Sequence, residues 1–479
     1  MVVESLGYEA ERTPLLSAQQ DGEDGHLGDP LLDGESLDRQ NSVWPMKVLI
    51  LMSETGGGHR ASANALTDAF KHLYKDNVSV STVDLWVEIA GWPFSTYPWW
   101  YRLVAKYPVM WMVVYWYGKL PPTRWFQEQM WQVMVHDKLK AFLSETQPDV
   151  IVSVHPMVNR LTNNVLRRIR CIDLKPTPIF STVVTDYGDA HPMWFNKDSE
   201  MTYIPSEPVR TLAIKFGMKN SKLKVYGLAL RREFWDDKTD RFGKREKLGL
   251  SVSKPVILLM GGGDGMGNLE LISEAVARHI NKELGPNGAK LVIVCGNNRK
   301  LKTSLANHTW PVEVEVLGFT DNISEWMEAS DLLVTKAGPG TVAEAFVKGL
   351  PMIIFAYLPG QEEGNMQFVV DNDLGIYSTD ADVIGATASE WLGDPERLAE
   401  MRRRAKTFAM PSASIDIARD LGVVYGNTYS SLPSRVGLPS EMREEFYDAW
   451  TRRSAILVAV ILNVVIAYFL FLLLRHLLR

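Results

Sequence analysis

An apolar strand, a glycine turn and a helical stretch follow one another between residues 47 and 70. Residues 48–52 are all apolar, as in a strand buried on both faces of a sheet. Glycines at 56, 57 and 58 let the backbone turn sharply and approach a ligand, and the helix that follows points its positive end at this turn. The stretch therefore predicts an α/β fold with a pocket for an anion or a polar head group at Gly56, Gly57 and Gly58, and His59 at its edge. A glycine turn of purely steric origin is the alternative.

Apolar runs alternate with helical stretches along the rest of the chain, and this alternation is typical of doubly wound parallel sheets. Parallel strands bind their ligands at their carboxyl ends, where many of these runs turn to glycine or polar residues. We expect two Rossmann-like α/β domains that face each other across a cleft, at 44–245 and 246–426. The predicted strands of the first domain are 47–52, 78–83, 149–154, 178–184, 201–204 and 223–226, and those of the second lie within 255–260, 290–298, 314–319, 331–341 and 351–357.

Composition limits the functions that remain. The net charge of −6 is concentrated in the acidic segment 1–43, which has few aromatic residues and is predicted to be disordered. The remaining chain is close to neutral, so the sequence does not favour nucleic-acid binding. The two cysteines, Cys171 and Cys295, are far apart and are predicted to be reduced, and no zinc-ligand spacing exists.

An aromatic insertion at 92–131 interrupts the first domain, and it contains nearly half of the 15 tryptophans. Prolines divide it into short helical pieces. Amphipathic aromatic side chains prefer the membrane interface, so the segment is predicted to contact lipid head groups or to form an acceptor groove. A large aromatic core is the alternative. Basic residues within it could recruit an anionic lipid activator or could form a solvated face, and these are Arg102, Lys106 and Arg124.

Residues 455–474 carry no charge, and about 20 residues of helix span the roughly 30 Å hydrocarbon core of a bilayer. This run predicts a C-terminal transmembrane tail anchor, preceded by a linker at 427–454, with both α/β domains on the cytosolic side. A buried helix is the alternative. Because the acidic N-terminus is unlike a transit peptide, we expect an endomembrane rather than a chloroplast location.

Eight motifs, in order along the chain, resemble those of the monogalactosyldiacylglycerol synthases. The resemblance covers about 47–426, and its segments are ILMSETGGGHRASA, SVHPM, VVTDYGDAHPMWF, VYGLALR, LLMGGGDGMG, CGNNRKL, TKAGPGTVAEA and GQEEGN. The family is related to the bacterial N-acetylglucosaminyltransferase of peptidoglycan synthesis. The resemblance implies an inverting transferase of the two-domain GT-B fold that moves a hexose, most simply galactose, from a UDP-sugar to diacylglycerol. It implies no obligatory metal or other cofactor.

The resemblance also assigns a donor site to the second domain. Gly338, Gly340 and Thr341 open a helix whose amides would receive the diphosphate, beside Lys336. Gln361 and Glu362 would contact the sugar hydroxyls, and Asn365 would support that loop or the ribose. Gly318 and Phe319 would hold the nucleotide base of UDP. The glycines that would line the cleft are Gly261, Gly262 and Gly263.

The acceptor hydroxyl must lose a proton as it attacks, so a general base is needed. His59 is the first candidate and His155 the second, while Asp186 and His191 could orient or share the proton. Five tryptophans are predicted to meet the membrane or the acceptor, namely Trp99, Trp100, Trp111, Trp116 and Trp194. Two alternatives remain: a UDP-glucose or UDP-N-acetylglucosamine transferase acting on another lipid, and a non-catalytic lipid-binding scaffold.

Overall fold

The structure is a computed structural model that describes residues 45–172, 178–236, 239–263 and 265–429. The predicted disordered segment 1–43 lies outside these residues, as do the tail anchor at 455–474 and all but the first residues of the linker. The strands are β1 Met46–Met52, β2 Val78–Asp84, β3 Val150–Ser153, β4 Ile179–Val183, β5 Thr202–Ile204, β6 Leu223–Val225, β7 Val256–Met260, β8 Lys290–Val294, β9 Glu313–Leu317, β10 Leu332–Lys336, β11 Met352–Ala356 and β12 Gly375–Tyr377.

Helices connect these strands, as the alternating pattern predicts. They are α1 Gly57–Tyr74, α2 Tyr97–Val104, α3 Pro108–Lys119, α4 Pro121–Thr146, α5 Asn159–Ile172, α6 Glu207–Lys215, α7 Arg241–Lys247, α8 Leu269–Leu284, α9 Arg299–Ala306, α10 Ile323–Ala329, α11 Pro339–Lys348, α12 Glu363–Asp371, α13 Ala381–Leu392, α14 Pro395–Thr407 and α15 Ala413–Tyr429. In the aromatic insertion, α2, α3 and α4 each have proline in the first turn, where its missing N–H costs no hydrogen bond.

Two six-stranded parallel sheets form the two predicted domains. The strand order is β2-β1-β3-β4-β5-β6 in the first and β12-β11-β10-β7-β8-β9 in the second. In each sheet the direction of strand addition reverses at one place, between β1 and β3 and between β7 and β10. Ligands of parallel sheets bind at such reversal points, beyond the carboxyl ends of the strands.

The apolar run of β1 is buried on both faces, which is why it shows no alternation. Val48, Ile50 and Met52 pack in one core with α1 and α15, whereas Leu49 and Leu51 pack in another with α4 and α5. The buried strand fixes the position of the glycine turn that follows it.

The last helix departs from the predicted division of the chain. Although α15 follows the second domain, it packs on α1 of the first, and the Tyr203 hydroxyl donates to Asp420 Oδ2 over 2.7 Å. The two segments that cross between the domains also touch. Gly227, at φ +95°, lies so close to Met410 that a Cβ at 227 would be 2.5 Å from the Met410 Cβ, and the Ser414 hydroxyl donates to the Leu230 carbonyl over 2.7 Å.

One part of the predicted fold class is corrected. Across the described ranges 45–172, 178–236, 239–263 and 265–429, no helix is long and apolar enough to cross a membrane. The predicted span at 455–474 lies outside those ranges, and the first residues of the predicted linker at 427–454 belong to α15. For the described residues, the structure supports two α/β domains and shows no membrane-spanning helix.

Candidate active site

The first half of the site lies at the carboxyl ends of β1, β3 and β4. His59 is in the first turn of α1, His155 follows β3, and Asp186 follows β4, and all three side chains are buried. The ring centroids of His59 and His155 are 4.4 Å apart in a nearly edge-to-face arrangement. The topology of the sheet thus brings together three groups that are distant in sequence.

The hydrogen-bond partners of His59 define its tautomer. Its Nδ1 lies 2.9 Å from the Val154 carbonyl oxygen, which can only accept, so Nδ1 carries the proton and donates. The Thr185 hydroxyl oxygen lies 3.1 Å from the same nitrogen. Nε2 of His59 therefore keeps its lone pair and can accept a proton from a substrate.

His155 has the opposite arrangement, and both of its ring nitrogens are engaged. The Met157 N–H donates to Nδ1 over 3.3 Å, so Nε2 carries the proton and donates to the Thr55 hydroxyl over 2.7 Å. A ring with both nitrogens engaged has no lone pair to offer. The geometry therefore favours His59 over His155 as the base and gives His155 the role of holding Thr55 beside the glycine turn.

His191 and Asp186 are linked through the segment that follows β4. The Met193 N–H donates to Nδ1 of His191 over 3.3 Å, which leaves Nε2–H as a donor. The Trp194 indole N–H donates to Asp186 Oδ2 over 2.6 Å. Trp194 has no exposed surface, so the structure places it beneath Asp186 and not at a membrane-facing surface.

Burial sets the charge of these groups. Desolvation lowers the pKa of His59 to about 4, against a smaller opposing effect of the Val154 hydrogen bond. It also lowers the pKa of His191 to about 3 and brings that of His155 well below its ordinary value. Burial raises the pKa of Asp186 to about 7, and the Trp194 hydrogen bond partly opposes this rise. The three imidazoles are thus neutral at physiological pH, whereas Asp186 titrates near neutral pH.

The glycine turn leaves the start of α1 open. Gly56 has φ +88°, and no side chain caps the helix. A Cβ at Gly57 or Gly58 would meet nothing within 4 Å. The turn therefore presents free amides to a polar group, as the sequence predicts for a glycine-rich helix N-terminus.

The second half of the site is built around Lys336, at the end of β10. Its ammonium group pairs with Glu362 Oε1 and lies between two glycine turns, since its Cε would be 3.3 Å from a Cβ at Gly262 and its Nζ 3.5 Å from one at Gly338. Gly338 immediately precedes α11, which also begins without a capping side chain. A cation and a helix N-terminus thus converge where an anionic diphosphate can bind.

The loop after β11 continues this half. Glu362 is buried, and its second oxygen accepts from the Leu358 N–H over 2.9 Å. Within the described residues, Gln361 Oε1 is buried without a hydrogen-bond partner, so it can accept from a sugar hydroxyl. The other predicted donor residues lie at neighbouring turns: Gly261 and Gly263 after β7, Gly318 and the exposed Phe319 after β9, and Gly340 and Thr341 in the first turn of α11.

Asn365 joins the two halves. Its Nδ2 donates to the Ala337 carbonyl over 2.9 Å, and its Oδ1 accepts from the Gly188 N–H over 2.7 Å. Gly188 comes so close to Gly364 that a Cβ at 188 would lie 2.0 Å from the Gly364 carbonyl oxygen. The loop that carries Asp186 is therefore in direct contact with the donor half.

The tryptophans of the aromatic insertion divide into two groups. Trp99, Trp100 and Trp116 are exposed, whereas Trp111 is buried beside Tyr101 and Tyr115. Exposed tryptophans in a helical segment suit an interface with lipid.

Sequence reasoning missed three residues that the structure brings into the site. Thr55 and Thr185 contact the two histidines, and Tyr115 packs against His191 at a ring distance of 5.5 Å. The two threonines adjoin predicted motif residues, which is a usable signal, but nothing in the sequence connects Tyr115 to the site. Among the described residues, no group of three or more His, Cys, Asp or Glu side chains could hold a metal ion.

Solved structures place this arrangement in a fold class. The structure matches MurG from Acinetobacter baumannii with a TM-score of 0.51 and 14% identity, over 79% of this chain and 100% of MurG. A putative UDP-N-acetylglucosamine 2-epimerase from Listeria monocytogenes matches with a TM-score of 0.52 and 12% identity, over 81% of this chain and 98% of the epimerase. At such identities the likeness shows the fold alone, and that fold is the GT-B arrangement.

The sequence comparisons identify the family. A model described as monogalactosyldiacylglycerol (MGDG) synthase matches residues 59–230, and the glycosyltransferase family 28 C-terminal domain matches 256–417. Monogalactosyldiacylglycerol synthase 1 of Arabidopsis thaliana is 38% identical over 84% of this chain and 75% of that protein, and the synthase of Spinacia oleracea is 39% identical over 79% and 72%. The chain belongs to the monogalactosyldiacylglycerol synthase family. The predicted enzyme class, a glycosyltransferase of glycolipid synthesis, is confirmed.

The predicted location is corrected by the same comparisons. The relatives from Arabidopsis thaliana, Spinacia oleracea and Glycine max are named as chloroplastic proteins. No helix in the described part of the chain is long and apolar enough to cross a membrane. Together these findings contradict the prediction of a tail-anchored protein of the endomembrane system.

The first prediction separates the two candidate bases. His59 Nε2 carries the only lone pair of these two rings that is not engaged in a hydrogen bond. Replacing His59 by Ala removes it, so we expect turnover to fall by at least about a hundredfold, the usual contribution of a general base. UDP affinity should be nearly unchanged. The matched variant, His155→Gln, should lose clearly less turnover. Steady-state rates and UDP titration measure both effects, and a larger loss in His155→Gln would move the base to His155.

The second prediction concerns pH. Asp186 is ionised above a pKa of about 7, and its negative charge then supports the positive charge that forms on the neighbouring imidazoles during catalysis. We expect kcat to decline as the pH falls through about 7 and this limb to be absent in Asp186→Asn. His59, with its pKa near 4, should add no limb between pH 5 and 9. A limb near pH 7 that persists in Asp186→Asn would contradict the assignment.

The third prediction concerns the diphosphate. Lys336→Met should raise the Kd of UDP by about tenfold or more, since a hydrogen bond from a charged donor contributes about 1.5–3 kcal/mol. Lys282→Met, at an exposed surface lysine, is the matched control and should bind UDP normally. Isothermal titration with UDP measures both, and equal affinities would exclude Lys336 from the site.

Proposed function

We propose that this chain transfers galactose from UDP-galactose to the free hydroxyl of diacylglycerol in one inverting step. The acceptor oxygen bonds to the anomeric carbon as the bond from that carbon to UDP breaks, and the hydroxyl proton passes to Nε2 of His59. The observation that carries the proposal is the His59 Nδ1 hydrogen bond to Val154, because it leaves Nε2 unprotonated at the carboxyl end of the sheet.

The leaving UDP gains negative charge as the bond breaks, and stabilising that charge is the second requirement. Lys336 and the uncapped start of α11 are suited to it, since the ammonium group, although paired with Glu362, keeps N–H donors and the helix start offers positive potential at the same turn. The proposal therefore includes no obligatory metal ion. Gln361 Oε1, buried without a partner among the described residues, would accept from a hydroxyl of the sugar.

The acceptor is a lipid, so the site must meet a membrane surface. Trp92 is 82% exposed, and Trp99, Trp116 and Trp125 are each more than half exposed. Leaving such rings in water is unfavourable, and they suit the interface between head groups and acyl chains. We infer that the aromatic insertion docks on the bilayer and delivers diacylglycerol to His59. Arg102, Lys106 and Arg124 favour an anionic lipid as activator.

The fourth prediction tests the reaction itself. Purified full-length chain is incubated with diacylglycerol vesicles and labelled UDP-galactose, UDP-glucose or UDP-N-acetylglucosamine in parallel. We expect a glycolipid from UDP-galactose, with the β configuration. Product from another donor instead would replace the sugar assignment. Binding of UDP without product from any donor would contradict diacylglycerol as the acceptor.

A further inference from the structure

Helix α3 of the aromatic insertion has two different apolar faces. Val109, Met112, Val113 and Trp116 recur at helical spacing and are each 41–51% exposed. The opposite face, which includes Trp111 and Tyr115, is buried. A helix of this kind can pack against protein on one side and contact lipid on the other.

The buried face of α3 reaches the donor loop of the other domain. Tyr115 packs on Gly360, which has φ +78°, and a Cβ at 360 would lie 2.6 Å from Tyr115 Cε1. Leu358 belongs to the same apolar cluster as Trp111 and Tyr115. Gln361 and Glu362, the proposed donor contacts, follow directly in the chain. The ring of Tyr115 therefore limits where the backbone of this loop can lie.

The aromatic insertion also contacts the half of the site that contains His59. The Tyr101 hydroxyl lies 3.1 Å from the position of a Cβ on Gly56, at the glycine turn. Gly118, near the end of α3, also lies close to His191, whose Nε2 would be 3.3 Å from a Cβ at 118. One surface segment thus touches the glycine turn, His191 and the donor loop.

The contact between α3 and the donor half is not fully packed. A cavity of ≈ 290 Å³ adjoins it, lined by Tyr115 and Trp116 on one side and by Gly360, Glu363 and Gln367 on the other. Lys119 lies at its edge, 3.6 Å from Asp189 Oδ2. The Tyr115 ring therefore makes the contact with the donor loop, and open space lies beside it.

We propose that Tyr115 is a positioning residue for the donor loop 358–362. Contact of the outer face of α3 with a phospholipid bilayer holds the Tyr115 ring against this loop and thereby tightens UDP-sugar binding. The inference rests on the proposed function, because it assumes a lipid surface as the partner. Charge supports that partner, since the exposed Arg102 and Lys106 shortly precede α3 in the chain, and such cations favour an anionic head-group surface.

Thermodynamic linkage makes the effect of the bilayer on donor binding reciprocal. A bilayer that binds better to the state in which Tyr115 lies against the donor loop shifts the population toward that state. The donor must then strengthen bilayer binding by the same factor. Coupling of this kind typically changes affinity by about 5- to 150-fold. A purely structural role for Tyr115 would change stability and leave the two affinities independent.

The fifth prediction measures this coupling. The Kd of UDP-galactose is determined for the full chain alone and with phosphatidylcholine–phosphatidylglycerol vesicles that lack diacylglycerol, so that no turnover occurs. We expect vesicles to lower the Kd at least about fivefold. Tyr115→Ala should bind the donor weakly with and without vesicles. Tyr115→Phe, which keeps the ring, should restore the coupling.

Two further variants test the inner and the outer face of α3 separately. Gly360→Ala, which alters the same contact from the other domain, should behave like Tyr115→Ala. Val113→Ser, on the outer face, should weaken vesicle binding in sedimentation and leave the donor Kd without vesicles unchanged. Normal thermal midpoints in these variants exclude unfolding as the cause.

Equal donor affinity with and without bound vesicles would overturn the inference, and so would a chain that does not bind vesicles. A chain that makes galactolipid but shows no coupling would leave the proposed function intact and refute only the role of Tyr115. A chain that binds no UDP-galactose under any condition would instead refute the proposed function.

Discussion

The Asn365 carboxamide holds together a site that neither domain could form alone. The fully buried side chain donates to Ala337 in the donor half and accepts from Gly188 in the loop after β4. A buried amide without these partners would carry a desolvation cost, so the contact favours one relative placement of the domains. Gly188 and Gly364 make that placement sterically possible, because any side chain at either position would separate the two backbones.

Given that placement, the chemistry follows from how the sheets end. Parallel strands deliver polar residues to one edge, and the reversal of strand order opens a crevice there. Burial at this edge keeps three imidazoles uncharged, and hydrogen bonds then distinguish them. The Val154 carbonyl leaves His59 with a lone pair, whereas the Met157 amide and the Thr55 hydroxyl engage both nitrogens of His155. Identical side chains acquire different roles from their backbone surroundings.

Much of this could be predicted from local sequence. Each predicted strand lies within a few residues of an observed strand because buried parallel strands are short, continuous apolar runs, and the glycine turns at 56–58 and 261–263 mark where they end. The sequence ranks His59 before His155, but the hydrogen bonds that distinguish the two rings could not be predicted, since they involve partners about 100 residues away in the chain. The same holds for the packing of α15 on the first domain and for the contact between Tyr115 and Gly360, which join segments without any shared pattern. The burial of Trp194 could not be predicted either, because a tryptophan after an HPM motif gives no information about its burial.

The double crossing between the domains has a mechanical consequence. The chain passes from the first sheet to the second near Gly227 and returns near Met410, and these two segments lie against each other. Because these two segments lie side by side, the chain connects the two sheets at one place and not at two separated places.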